Sequence, residues 1–475
     1  LLAATGCEPR PDVGPVVVSA IGAVPSLSAT VKPNSDTADR LLLDSVAQGL
    51  VRFDAAGQIE PGIAERWIVT DEGKTYIFRL REMNWADGRP MRAAEVVAIL
   101  RRRLAVRANN PLAPYLTAID SIVEMTPQVI QIDLSRPRPD LLKLFAQPEL
   151  AIVRPFGLVG SGPMRAVGAR RRLIRLTPIT NADREGGERE DHTPEDDVLL
   201  IPERASAAVV RFVARKSDLV SGGDIGNWPL IAASGAAPAN IRIDPAAGLF
   251  GLAIVRREGF LQSAENRAAI ALAIDRAALV ARGATGWQTA EDLLPATLDS
   301  AAPPARAPWT NVAAADRRAA ARAQVSAWRA THGGAAPVLR IALPAGAGGT
   351  LLWGMVAADL YAIGVRPERV GAAEAADLRL IDAVAPYDSA RWYLATACQP
   401  CGEAATDAIE EARIAPTLAD RARTIAAADA ALAADVAFVP IARPFRWSLV
   451  AQRLRAWQVN ERAWHPLNRL RRDTN

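Results

Sequence analysis

Histidine is nearly absent: His192, His332 and His465 are the three in 475 residues. They stand too far apart for a His-based metal motif. Lysine is scarce too, at Lys32, Lys74, Lys143 and Lys216, so almost all positive charge is arginine. No long apolar run occurs. Stretches such as 268–274 and 430–434 stop at Asp275 and Asp435, far short of the roughly 20 apolar residues of a membrane-spanning helix. No sustained basic face occurs either. The 56 basic and 52 acidic residues leave a net charge of +4, and the clusters at 101–103 and 170–172 are short and bordered by apolar residues. That excludes a nucleic-acid groove, which needs a basic track with aromatic partners. There is no Gly-x-Ser-x-Gly elbow, His-Glu-x-x-His or phosphate loop, so the chain does not read as an enzyme and implies no cofactor. What is present is an ordinary globular composition, 50% hydrophobic and 23% charged, long enough for two to four domains at roughly 100–200 residues each.

Periodicity divides the chain into two regimes. The first half carries a buried strand at 16–22, a helix at 41–50, and paired strands at 67–69 and 75–80 around a polar turn. A helix at 93–105, a strand at 129–134, a helix at 205–212 and a short strand beginning at Asp224-Ile225 follow. The charged stretch 181–197 reads as an exposed loop. From about 245 onward strands alternate with helices: strand 249–255, helices 266–282 and 313–331, strand 338–343, a Gly-rich loop at 345–349 and helix 351–363. Strand 377–381, helices 406–413 and 418–434 and strand 437–441 complete it. This alternation indicates an α/β domain with a parallel or mixed sheet.

The first residues, Leu1-Leu2-Ala3-Ala4-Thr5-Gly6-Cys7, resemble the end of a bacterial lipoprotein signal, with Ala4 where Leu is usual. The resemblance implies lipidation of Cys7, with 1–15 as signal remnant and tether, and attachment to a membrane surface through the lipid alone. Cys398 and Cys401 form a Cys-x-x-Cys with several readings: a local disulfide, which suits an oxidising compartment, a thioredoxin-like redox pair, half a zinc site, or free thiols.

Three segments carry a wider resemblance. The first runs Leu50-Val51-Arg52-Phe53-Asp54, Gly57, Ile59 and Pro61-Gly62-Ile63-Ala64-Glu65-Arg66-Trp67. The second is 71–81. The third is Trp85-Ala86-Asp87-Gly88-Arg89-Pro90-Met91-Arg92-Ala93-Ala94-Glu95-Val96. With Gly160-Ser161-Gly162-Pro163, Ser221-Gly222-Gly223-Asp224, Arg267 to Arg276 and 407–413, they resemble the extracytoplasmic solute-binding proteins of ABC importers, family 5, the peptide/nickel type. Most of these motifs also suit turns, caps and close packing, which is their expected role.

The resemblance implies a periplasmic-binding-protein-like α/β fold of two lobes, type II, of the large class with an extra subdomain. Lobe I is expected from 16–245 plus 441–475, with 38–160 as the extra subdomain, and lobe II from 246–440. The crossings between lobes are expected near 244–249 and 439–443. The implied function is capture of a peptide or similar small organic solute between the lobes, in the periplasm, and delivery by a monomer to an ABC permease. The alternative is a receptor or scaffold lipoprotein of the same fold that no longer serves import. The expected solute-binding residues are Ala23, Val24, Gly160, Ser161 and Trp228 from lobe I, with Asp382, Tyr387, Asp388, Arg391 and Trp392 from lobe II. Asp388 or Asp382 stands where peptide-binding relatives hold a ligand ammonium. Departures from the family pattern weaken a peptide ligand: Met164 follows Gly-Ser-Gly-Pro, Ala253 to Arg256 lack the family's Asn, and loop 345–349 offers no cation.

Overall fold

Alternation of apolar and polar residues makes strands, and strands need partners to satisfy their backbone. The computed structural model describes residues 13–25, 36–138, 140–154, 160–170, 172–179, 193–296 and 298–471. Cys7 and most of the charged stretch 181–197 lie outside them. In chain order the first elements are β1 (Val16–Ile21), α1 (Thr37–Val46), β2 (Val51–Phe53), β3 (Ile59–Pro61), β4 (Ala64–Thr70), β5 (Thr75–Leu80), α2 (Ala93–Leu104), β6 (Ile119–Thr126), β7 (Val129–Leu134) and α3 (Leu141–Phe145). Then come β8 (Met164–Arg170), β9 (Leu173–Pro178), β10 (Val198–Glu203), α4 (Ala205–Val213), β11 (Leu219–Asp224), α5 (Trp228–Ser234) and β12 (Ile241–Asp244). The remainder is β13 (Gly248–Ile254), α6 (Ala264–Ala273), α7 (Arg276–Val280), α8 (Ala314–Thr331), β14 (Val338–Leu343), α9 (Ala347–Ala362), β15 (Arg366–Gly371), β16 (Leu378–Val384), α10 (Ala390–Ala397), α11 (Glu403–Ile414), α12 (Leu418–Asp435), β17 (Phe438–Ala442) and β18 (Arg446–Val450).

These strands build two lobes and a subdomain. Lobe I centres on a seven-stranded sheet ordered β12-β18-β11-β1-β10-β9-β8, in which β1 runs parallel to β10 and β11. The subdomain is the antiparallel sheet β4-β5-β7-β6 beside the hairpin β2-β3. Its α2 buries Ala93, Val96, Val97 and Leu100 on one face, the spacing of an amphipathic helix. Lobe II centres on the mixed sheet β15-β14-β16-β13-β17. Its interior strand β13, between β16 and β17, is buried along its whole length, as a strand covered on both faces must be. The chain crosses between the two large sheets twice, after Asp244 and after Ala442.

Three local expectations differ from what forms. The segment 266–282 is two helices, not one. Asp275 breaks it by accepting a bond from Ala278 N at 2.9 Å, while its own N–H goes to Asp359 Oδ2 at 2.9 Å. The Gly-rich stretch begins α9 at Ala347, so Gly348 and Gly349 are helical. Asp224 ends β11 instead of opening a strand, and its carboxylate takes the N–H of Asn227 at 3.2 Å.

Residues 460–465 pass over the first crossing. Asp244, the last residue of β12, accepts from Asn460 N at 3.1 Å and faces His465 Nε2 at 3.1 Å. Ala247 N donates to Glu461 O at 2.9 Å. The same segment reaches the subdomain: Asn460 Nδ2 meets Ala55 O at 3.3 Å, and Arg469 meets both oxygens of Glu60 at 2.8 Å.

Candidate functional site

Strand C-termini and helix N-termini of α/β lobes gather at one edge, and here two such edges meet. On lobe I, the turn after β1 is tied to α1 by Asp36, which accepts from Ala23 N at 2.6 Å and from Ala38 N and Asp39 N. Ala23 and Val24 are exposed beside it. Trp228 opens α5 and packs edge-on against Phe445, centroids 5.0 Å apart, in the second crossing. On lobe II, α9 presents its first turn to lobe I: Gly348 N donates to Gly226 O at 2.9 Å.

The rest of the seam joins lobe II to the subdomain. Asp388, after β16, is clasped by Lys143 of α3 and by Arg462. Gln147 Nε2 donates to Pro386 O at 2.6 Å. Arg462 Nη1 donates to Ala385 O at 3.1 Å. Tyr115 meets Tyr387 edge-on at 5.5 Å. Arg391 Nη1 donates to Pro114 O at 3.1 Å. Two buried clusters are continuous across the boundary, one from Phe78 and Phe145 to Tyr387 and Leu394, the other from Val220 and Ile225 to Phe250 and Trp447. The lobes are shut on each other.

Burial shapes the electrostatics. Desolvation lowers the Lys143 ammonium below its usual range and brings Arg462 to about 10. Burial, then Asp299, raises Asp140 to about 6. Burial likewise raises Asp382, against the pull of Arg446. Tyr387 is raised by the same cause. A void of about 10 Å³ lies among Tyr115, Arg138, Asp140, Tyr387, Arg391 and Arg421. Among the described residues no group of three or more His, Cys, Asp or Glu side chains is placed to hold a metal ion.

The ten expected solute residues divide. Trp228, Asp382, Tyr387, Asp388 and Arg391 lie along the lobe boundary, and Ala23 and Val24 lie on the exposed turn after β1. Gly160 and Ser161 do neither, and that expectation is corrected. A Cβ on Gly160 would sit 1.8 Å from Val46 O. Ser161 is 1% exposed, and its hydroxyl meets Ile152 O at 2.9 Å and the Gln48 backbone. Both lock the subdomain to lobe I. Trp392 is also corrected to a packing role, buried in α10 edge-on to Tyr393 at 5.0 Å. Asp388 is no vacant carboxylate, because two cations already hold it. Those cations come from 245 and 74 residues away in sequence, so no local pattern announced them. A lysine where this chain otherwise uses arginine was the one signal available for Lys143.

Cys398 and Cys401 are joined in a disulfide between α10 and α11. With a helix on each side, the pair has no βαβ redox setting.

The sequence matches the model of bacterial extracellular solute-binding proteins, family 5, middle region, over residues 58–368. The chain belongs to this family. Its members are solute-binding transport proteins. The murein tripeptide-binding protein MppA of Escherichia coli superposes with a TM-score of 0.78 at 18% identity, covering 95% of this chain and 97% of that one. OppA of Burkholderia pseudomallei gives 0.76 at 17% identity, covering 97% and 99%. Among curated relatives, the probable deoxycholate-binding periplasmic protein YgiS of Escherichia coli is 41% identical over 86 residues, which span 18% of this chain and 16% of that protein. The structural likenesses establish the two-lobe fold of family 5.

The family motifs have physical roles here. Trp85 is buried, its Nε1 donates to Glu95 Oε2 at 2.9 Å, and Arg154 lies over its ring at 4.6 Å while pairing with Asp87 and Glu95. Gly88 takes the left-handed conformation of the turn, φ 84°. Arg267 is buried and donates to Leu261 O, Gln262 O and Asp435. Arg276 donates to Pro440 O at 2.8 Å. These residues hold the family 5 fold.

Proposed function

We propose that this protein captures a peptide or similar small organic solute between its lobes and delivers it to an ABC permease. The observation that carries the reading is the paired crossing after Asp244 and Ala442. Two short connections between two sheets make a hinge. A solute touching both lobes binds the shut state better and shifts the population towards it. Ala23, Val24 and Trp228 from lobe I, with Asp382, Tyr387, Asp388 and Arg391 from lobe II, are the groups that would meet the solute. In this reading a solute ammonium competes with Lys143 and Arg462 for Asp388. The binding energy comes from burying apolar surface, and the few polar groups set orientation. The protein works as a monomer in the periplasm, anchored by lipid on Cys7.

Native mass spectrometry of protein purified from its own periplasm tests this. A co-purified solute that rebinds the stripped protein and raises its melting temperature is expected. Protein that comes out empty, and whose melting temperature no peptide or small organic solute moves, refutes it. For the anchor, Cys7→Ala should move the protein to the soluble fraction.

A further inference from the structure

The seam between the subdomain and lobe II carries positive charge that its own carboxylates do not balance. Lys143, Arg462, Arg138, Arg391 and Arg421 face Asp388, Asp299 and Asp140 across it. Arg421 has a counter-ion, since its Nε and Nη2 meet Asp299 Oδ2 at 3.1 and 2.9 Å. Lys143 and Arg462 share Asp388. Arg138 has none of its own: its Nη1 and Nη2 go to the carbonyls of Pro137 and Arg413, both at 2.7 Å. Arg391 gives one N–H to Pro114 O. Its Nε is buried and has no hydrogen-bond partner among the described residues, in a residue only 7% exposed. A buried donor left without a partner is destabilising. Burial, with Arg421, Arg136 and Arg391 nearby, brings the Arg138 guanidinium down to about 9, as expected where positive charge lacks compensation.

These two guanidinium groups line the same void, and the void has the size of one particle. Its volume is about 10 Å³, room for one small particle. A water would satisfy the Arg391 donor but add no negative charge beside the two cations. We propose that the void binds one monoatomic anion of the chloride class, held between Arg391 of lobe II and Arg138 of the subdomain. Because the two sides belong to different bodies, the ion binds only the shut arrangement and favours it by mass action. The site needs the closed seam.

Thermal melts and chloride NMR of the full chain test the site without a solute. Replacing gluconate by chloride at constant ionic strength should raise the melting temperature by roughly 2 °C. The chloride line should broaden saturably on adding protein. Arg391→Gln and, from the opposite wall, Arg138→Gln should each abolish the anion dependence and the excess broadening. Wild-type melts indifferent to the anion, or line widths equal in wild type and both variants, overturn the proposal.

Discussion

Arg446 Nη1 donates to Asp382 Oδ1 at 2.7 Å, so the first residue of β18 in lobe I is bonded to β16 in lobe II beside the second crossing. Both side chains are largely buried, at 20% and 16% exposure. Removing one member of such a pair typically costs about 3–5 kcal/mol, because the other charge stays buried and alone. Arg446→Met should therefore lower stability to urea by about that amount. Arg446→Met combined with Asp382→Leu should recover most of the loss. Additive losses in the double-mutant cycle would show that the pair is not coupled.

Asp388 links three parts of the molecule through Lys143 and Arg462. Asp388→Ala removes the carboxylate that these two cations share. The expected result is a lower melting temperature without solute and a larger radius of gyration by small-angle scattering, as the lobes part. An unchanged radius would mean that the other seam contacts hold the lobes alone.

Gly348 meets lobe I with no room to spare. A Cβ there would lie 2.0 Å from Ile225 O, closer than any real contact. Gly348→Ala should keep each lobe folded but hold them apart. Solute affinity should fall by an order of magnitude or more, roughly 1.4 kcal/mol per tenfold, while the circular dichroism spectrum is retained. Full affinity in the variant would show that closure does not bring α9 this close.

Asp429 of α12 is 2% exposed, and burial raises its carboxyl to about 6, with Ala305 N donating at 2.7 Å and Asp292 adding repulsion. The folded state thus holds this proton more tightly than the unfolded chain does. Its contribution to stability is present below about 3.8 and is lost as pH rises through about 6. Asp429→Asn keeps the acceptor and removes the charge. The variant should melt above wild type at pH 7, by up to about 3 kcal/mol, with the gap closing towards pH 4. Parallel profiles would assign the wild-type slope to other groups.

The Cys398–Cys401 disulfide closes a very short loop, so it restricts the unfolded chain little. Loop entropy puts its contribution at about 2 kcal/mol. Cys398→Ser with Cys401→Ser should lose about that much in urea, and reduction of the wild type should give the same loss. A much larger loss would mean that the thiols disturb α10 and α11 in the folded state.

Periodicity made most strands and helices legible, because their apolar spacing depends on local burial: β1, β5, α2, β13 and α8 lie within a residue or two of their expected limits. The breaks were less legible. Ile274-Asp275 interrupts a continuous helical pattern because Asp359, 84 residues on, accepts the Asp275 N–H, and tertiary contacts of that kind leave no local trace. The same holds at the seam. Asp388 and Arg391 were named for their place after a strand, yet Lys143, Gln147 and Arg462, which contact that segment, come from distant elements. Gly160 and Ser161 looked like a ligand loop because small residues serve both tight packing and ligand approach, and only the neighbouring Val46 carbonyl tells the two apart.

The strap at 460–469, which follows β18, has the role of a keystone. It bonds to the first crossing at Asp244, to Ala385 and Asp388 of lobe II, and to Ala55 and Glu60 of the subdomain. A single protease nick between 450 and 460 would leave every sheet intact yet sever the covalent link that keeps this piece in register with all three bodies. Such a clipped protein would look native by its secondary structure and still have lost the restraint that sets how far its jaws can swing.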